Sequence, residues 1–253
     1  MVKKKLLLPT IAIALLAACS YGTANACKTC ETHNPKTENT AAAAEEHGHE
    51  HTEHGHEHAH ANAEEGFTTL FDGSSTDGWE FDKQWVRIED GAIVMGSMDK
   101  AIPHHSYAVY TAKPFYNFEL RLQAKAVGPE KTNGGVQFRS ENRPEKNDMA
   151  GYQADMGFKY WGLIYDQSRR NKLLTKHAEG FDIDKDIKQG DWNDYVIRAE
   201  GAHIQVWING KLTSDYTEAD EKFIKATGVI GLQLHTGEAS ERFYRNIRIK
   251  ELD

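Results

Sequence analysis

Three polar pairs, each spaced by two residues, carry the side chains best suited to chemistry: Gln137 and Arg139, Gln153 and Asp155, Gln233 and His235. That spacing puts both members of a pair on one side of an extended strand. Glu119 stands in a fourth alternating run, opposite Phe118, Leu120 and Leu122. The His235 imidazole titrates near neutral pH and could act as a base. Arg139 is permanently charged and fork-shaped, which suits a developing oxyanion. The amides of Gln137, Gln153 and Gln233 and the carboxylates of Asp155 and Glu119 could orient hydroxyl groups. Trp161 and Tyr165 add ring faces and a phenol. Planar hydrogen-bonding groups beside aromatic rings suit the hydroxyls and C–H faces of a sugar.

The elements that must position these groups are strands. From Phe67 onward, short alternating runs are separated by turn residues, with strands expected at 85–88, 92–95, 108–111, 118–126, 135–140, 152–156, 161–165, 195–199, 204–208, 228–235 and 243–250. Glu89-Asp90-Gly91 and Asn209-Gly210-Lys211 are hairpin turn signals, because glycine tolerates positive φ. One short helix is expected within 215–225. So many short strands argue for an all-β sandwich of two antiparallel sheets, or a jelly roll.

The first quarter of the chain reads differently. Residues 1–18 combine Lys3, Lys4 and Lys5 with a short apolar run, the pattern of a secretory signal. The run ends in Leu16-Ala17-Ala18-Cys19, which resembles a bacterial lipobox, so Cys19 is the expected lipidation site. The expected location is the bacterial cell envelope: a lipid anchor in the outer membrane, facing the periplasm. Residues 19–65 are poor in large apolar groups and read as a disordered tether. The tether holds His47, His49, His51, His54, His56, His58 and His60, interspersed with Glu50, Glu53 and Glu57. Imidazole and carboxylate in this density could capture zinc, copper or nickel; the alternative is a solvated linker of biased composition. Cys27 and Cys30 are spaced for a local disulfide or a thiolate pair, and no second pair completes a four-ligand site. The net charge is −8, with nine acidic and two basic side chains in residues 20–66. Nothing suggests a phosphate-binding stripe, so no nucleic-acid partner is expected.

The domain at 66–253 resembles the 3-keto-disaccharide hydrolase family over about residues 66–252. The resemblance rests on Gly66-Phe67 through Asp72-Gly73, Asp77-Gly78-Trp79, the run Asn133 to Arg139, Gly151 to Asp155, and Trp161-Gly162 with Tyr165-Asp166. It continues through Asp191-Trp192-Asn193, Gly231 to His235, and Phe243 to Ile247. The resemblance implies a concanavalin A-like, laminarinase-like jelly roll and an oxidised di- or oligosaccharide or other glycoside bearing a C3 ketone. Family members commonly carry Glu and Gln where this chain has Gln153 and Asp155, which marks it as a subgroup. Some jelly rolls hold a divalent cation, and no other cofactor is expected.

A C3 ketone acidifies the proton on C2. Removing it gives an enolate that expels the oxygen on C1, and water then adds to the alkene. The route needs a base, an enolate stabiliser and a proton donor rather than two carboxylates at glycosidase separation. His235 is the expected base, Arg139 the enolate holder and Tyr165 the donor. Glu119, Gln137, Gln153, Asp155, Trp161 and Gln233 are the expected substrate contacts. A lectin-like module that binds sugar without turnover, and a metal-handling lipoprotein, stand as alternatives.

Two outcomes follow for the N-terminal quarter. Inhibiting lipoprotein signal peptidase in cells should make an unprocessed precursor accumulate on immunoblots, and normal processing would rule out lipidation at Cys19. A peptide of residues 27–60 should bind zinc at micromolar metal if the histidine tract captures it; a flat titration leaves a plain tether.

Overall fold

The structure is a computed structural model that describes residues 64–224 and 226–253; the expected signal, Cys19, Cys27, Cys30 and the histidine tract lie outside the described residues. The described residues form the all-β sandwich of two antiparallel sheets expected from the sequence. The strands are β1 (Thr68–Phe71), β2 (Trp79–Phe81), β3 (Val86–Glu89), β4 (Ala92–Ser97), β5 (Ser106–Phe115), β6 (Phe118–Val127), β7 (Gly134–Arg143), β8 (Asp148–Met156), β9 (Ile164–Gln167), β10 (Lys172–Leu173), β11 (Asn193–Glu200), β12 (His203–Ile208), β13 (Lys211–Thr217), β14 (Gly228–Leu234) and β15 (Ser240–Glu251). One sheet runs β13-β12-β11-β6-β15-β4-β3, with β1 also on β15; the other runs β10-β9-β8-β7-β14-β5-β2.

Most expected strands are present and longer than the sequence suggests, but 161–163 form a turn so that β9 begins at Ile164, and β1, β2, β10 and β13 lie outside the expected runs. The helix expected within 215–225 is confined to Glu221–Ile224, and its leading residues belong to β13 instead. The Asn209-Gly210 turn forces that outcome, since it returns the chain antiparallel to β12 and pairs Ile208 with Lys211.

In β6, Phe118, Leu120, Leu122 and Ala124 are buried while Glu119, Arg121, Gln123 and Lys125 stay partly exposed. That is the ordinary pattern of a sheet with one wet face. Strands β7, β8 and β14 break it, because most of their residues are buried on both faces. The core holds no cysteine and rests on packed side chains such as Phe138, Tyr152, Tyr195, Tyr244 and Leu232.

One charged cluster lies partly inside this core. Asp166 has no exposed surface and pairs with Arg169 at 2.5 Å and with Arg170. Arg170 also reaches Glu218 at 2.7 Å, and Glu218 accepts from Tyr152 at 2.7 Å. Burial alone would raise the Glu218 pKa. Hydrogen bonds from Arg170, Tyr152 and the Asp220 N–H outweigh it and hold the group at about 2. The cluster ties the turn after β9 to the segment after β13.

A carboxylate held below its unfolded value stabilises the fold above that value. Stability should therefore decline as pH falls from about 4.5 toward about 2. Urea unfolding across this window should show a smaller decline in Glu218→Gln. Asp166→Ala leaves Arg169 without a carboxylate and Arg170 with Glu218 alone, and should cost about 3 kcal/mol at neutral pH.

Candidate functional site

The outward side of β7, β8 and β14 is polar and yet almost dry. Gln137, Gln233, Gln153 and Asp155 are 0%, 1%, 3% and 5% exposed. Such groups need partners, and all but the Gln233 side-chain oxygen find one. Ser140 Oγ donates to Gln137 Oε1 at 2.8 Å, Gln137 Nε2 to Gln153 Oε1 at 2.7 Å, and Gln153 Nε2 to Asp155 Oδ1 at 2.6 Å. A second short row pairs Gln233 Nε2 with the Tyr107 hydroxyl at 3.0 Å and leaves Gln233 Oε1 without a partner.

Two glycines make this layer fit. A β-carbon on Gly135 would stand 2.7 Å from Gln153 Cγ, so the bare backbone lets the Gln153 amide lie across the strand. A β-carbon on Gly231 would stand 2.3 Å from Met149 Sδ. Met149, on the outer part of the β7–β8 hairpin, thus closes over β14 and packs with Tyr107, Val109 and Val229. The hairpin turns that way because β7 carries a bulge, an extra residue against both partners between Phe138 and Glu141.

Two core tyrosines hold the same strands from behind. Tyr195 of β11 donates to the Asp155 carbonyl at 3.1 Å, and Tyr244 of β15 to the Gln233 carbonyl at 3.1 Å. Both link one sheet to the backbone that carries the polar layer of the other.

The electrostatics follow from burial. Asp155 is pushed up to about 7 by loss of water, with the Gln153 hydrogen bond opposing the rise. Tyr107 is pushed up to about 12 by burial. Tyr165, opposite Gln153 in the β8–β9 pair, is raised by burial and then by the charges of Asp155 and Asp166.

His235, just past β14, stands at the rim. Its ring lies 4.5 Å from that of His105. Burial lowers both imidazoles, His105 to about 4. His105 Nδ1 accepts from the Thr236 N–H at 3.2 Å, while His235 Nδ1 stands 2.6 Å from the Thr236 carbonyl. That pairing assigns the His235 proton to Nδ1 and leaves Nε2 with its lone pair free.

The structure gathers Gln137, Gln153, Asp155, Gln233, Tyr165 and His235 on one sheet face or its rim. It removes three expected members. Arg139 sits in the bulge with φ 47°, which breaks the alternation. Its guanidinium leaves the face and donates to Tyr116 O at 2.7 Å, Gly201 O at 2.8 Å and Asn117 Oδ1 at 3.3 Å. Trp161 is no stacking platform, because it lies before β9 in a turn and packs in the core, 1% exposed, against Tyr195. Glu119 belongs to the other sheet, where it pairs with Arg121 and Arg198. Ser140, Tyr107, Met149 and His105 are site members that the sequence reading missed. Extending the 108–111 run back by one residue would have put Tyr107 beside Val109. Nothing local marks the other three. Among the described residues, no three His, Cys, Asp or Glu side chains gather as a metal-ligand set.

The fold has solved relatives. A protein described as a candidate glycosyl hydrolase from Parabacteroides distasonis ATCC 8503 is 21% identical, with 74% of this chain and 95% of that chain covered at a TM-score of 0.55. A Bacillus subtilis protein of unknown function with a galectin-like fold is 11% identical, covering 73% and 94% at 0.54. The carbohydrate-binding module CBM66 from Bacillus subtilis is 14% identical, covering 69% and 96% at 0.52. No curated protein matches. Residues 66–250 match the family described as the 3-keto-alpha-glucoside-1,2-lyase-like domain. The chain belongs to that family, and its domain has a carbohydrate-related function.

Proposed function

We propose that the domain cleaves glycosides bearing a ketone at C3, at the rim where Tyr165, Asp155 and His235 border the polar face. The observation that carries this reading is the pair of titratable groups whose surroundings push them in opposite directions. His235 is lowered from 6.5 and Asp155 is raised to about 7. Near neutral pH the imidazole is then mostly free base while the carboxyl is still partly protonated. Those are the protonation states a base and an acid would need, and the substrate must span β7, the strand between them.

His235 Nε2 takes the proton from C2, and the electrons of that bond form the enolate of the C3 ketone. The enolate collapses to a C1=C2 double bond as the C1–O bond breaks. Asp155 gives its proton to the departing oxygen, and Tyr165 lies beside it to bind the leaving group. Water adding across the double bond then yields the free 3-keto sugar. The guanidinium of Arg139 is directed elsewhere, so no residue is assigned to the enolate oxygen in this scheme. The lipobox at Cys19 supports action at the bacterial cell envelope, with the domain tethered by lipid.

A 3-keto-glucoside incubated with the protein should release 3-keto-glucose. His235→Ala and Asp155→Asn should each cut turnover by about 10²–10⁴-fold while keeping the wild-type circular dichroism spectrum. The kcat/KM profile should be bell-shaped. It falls below the His235 value because the base becomes protonated, and above about 7 because Asp155 loses its proton. The alkaline limb should vanish in Asp155→Asn. Binding of the ketone without turnover in the wild type would leave a lectin-like module instead.

A further inference from the structure

Two arginines are buried to 2% exposure without a carboxylate beside them, and they differ in what they lack. Arg139 is met by neutral acceptors at Nε, Nη1 and Nη2 and lies over the Tyr116 ring. Arg242, on β15, donates from Nε to Asn133 O and from Nη1 to Ser240 Oγ at 2.7 and 2.8 Å. Its Nη2 has no hydrogen-bond partner among the described residues, yet it is not one of their fully buried unpartnered atoms and so still meets solvent, and no ion pair among them reaches the side chain. Burying a guanidinium without a counter-charge is costly, and removing water from it lowers its pKa to about 10. At neutral pH it therefore remains a cation with no anion.

Polar atoms without partners collect around it. Thr132 Oγ1 and Asn133 Oδ1 are both buried and unbonded. The segment after β6 crosses so close that a β-carbon on Gly128 would lie 2.5 Å from Thr132 Oγ1 and 2.4 Å from Ser240 Cβ. The Thr132 hydroxyl is thus held next to the serine that anchors Arg242. Exchange of the Asn133 amide oxygen and nitrogen would turn its orphaned acceptor into a donor. Arg242 is also near enough for its charge to oppose protonation of His235, which places the cluster beside the proposed reaction rim.

We propose that Arg242 and Thr132 form an oxyanion site at this end of the sandwich, and that its ligand is the carboxylate of an acidic sugar. A guanidinium and a hydroxyl donor suit one carboxylate, and each gains a partner that the protein does not provide. The choice of a sugar acid over a free anion rests on the carbohydrate reading above, whereas the oxyanion site itself does not.

Calorimetric titration with glucuronate, inorganic phosphate and glucose, against sodium chloride at matched ionic strength, tests this. Glucuronate should bind saturably to the wild type, at least ten-fold more tightly than glucose or phosphate. It should also raise the pH midpoint of the His235 ring protons in NMR, because the bound anion offsets the arginine charge. Arg242→Met should lose binding at least ten-fold, with Arg242→Lys between it and the wild type. Thr132→Val guards against a folding defect, since the hydroxyl it removes has no partner in the fold; it should bind several-fold more weakly at unchanged melting temperature. Phosphate binding as tightly as glucuronate would overturn the sugar assignment. No saturable oxyanion binding, or binding untouched in Thr132→Val and Arg242→Met, would overturn the site. Turnover of a neutral 3-keto-glucoside is a separate readout: its loss sinks the reaction and leaves the anion site standing.

Discussion

Gln137, Gln153 and Asp155 are hydrogen-bonding groups held almost out of water. A polar group so placed costs about 2–7 kcal/mol unless it finds a partner. The chain from Ser140 through the two glutamines to Asp155 supplies those partners one after another. Much of the surrounding architecture serves that chain. Gly135 keeps the space through which the Gln153 amide passes, and the bulge in β7 turns Ser140 toward Gln137. The tyrosines at 195 and 244 fix the strand backbones from the core side. The chain ends on a carboxyl with one hydrogen bond to its side chain, and that shortage lifts its proton affinity into the neutral range.

The two sheets divide the work. The outer face of the sheet containing β6 is wet, and its charges are paired locally, as Glu119 is with Arg121 and Arg198. Charges arranged this way neutralise one another in high dielectric and contribute little to stability. The face built on β7, β8 and β14 is poor in charge and rich in amides. Inside it a proton or a developing negative charge is screened weakly, so small displacements of charge carry more energy there than on the wet sheet.

Much of the fold was legible in the sequence because alternation is a local signal. Phe118, Leu120 and Leu122 declare a buried face without reference to any other strand, and Gln153 and Asp155 declare a polar one. Alternation fails where the backbone departs from the pleat. One bulge residue sends Arg139 away from the side its number predicts, and a turn takes Trp161 into the core. It is also silent about which sheet a strand joins. Glu119 reads like Gln153 in sequence, yet pairing with β11 and β15 places it in the other sheet. Ser140 and Met149 enter the site by long-range packing, for which no short window of sequence has a signature. The chemistry was clearest where type and face agreed, at Gln137, Asp155 and His235.

Met149 sits directly against the backbone of Gly231, and Gln137 beneath this covering has no exposed surface. A ligand could touch that amide only after Met149 moved aside. Its measured affinity would then be the intrinsic affinity diluted by the fraction of molecules so opened, and association would be slower than diffusion allows. A thioether is unbranched and readily re-packed, so this side chain can settle against guests of different bulk. A ligand of this face would therefore meet the methionine before the glutamines.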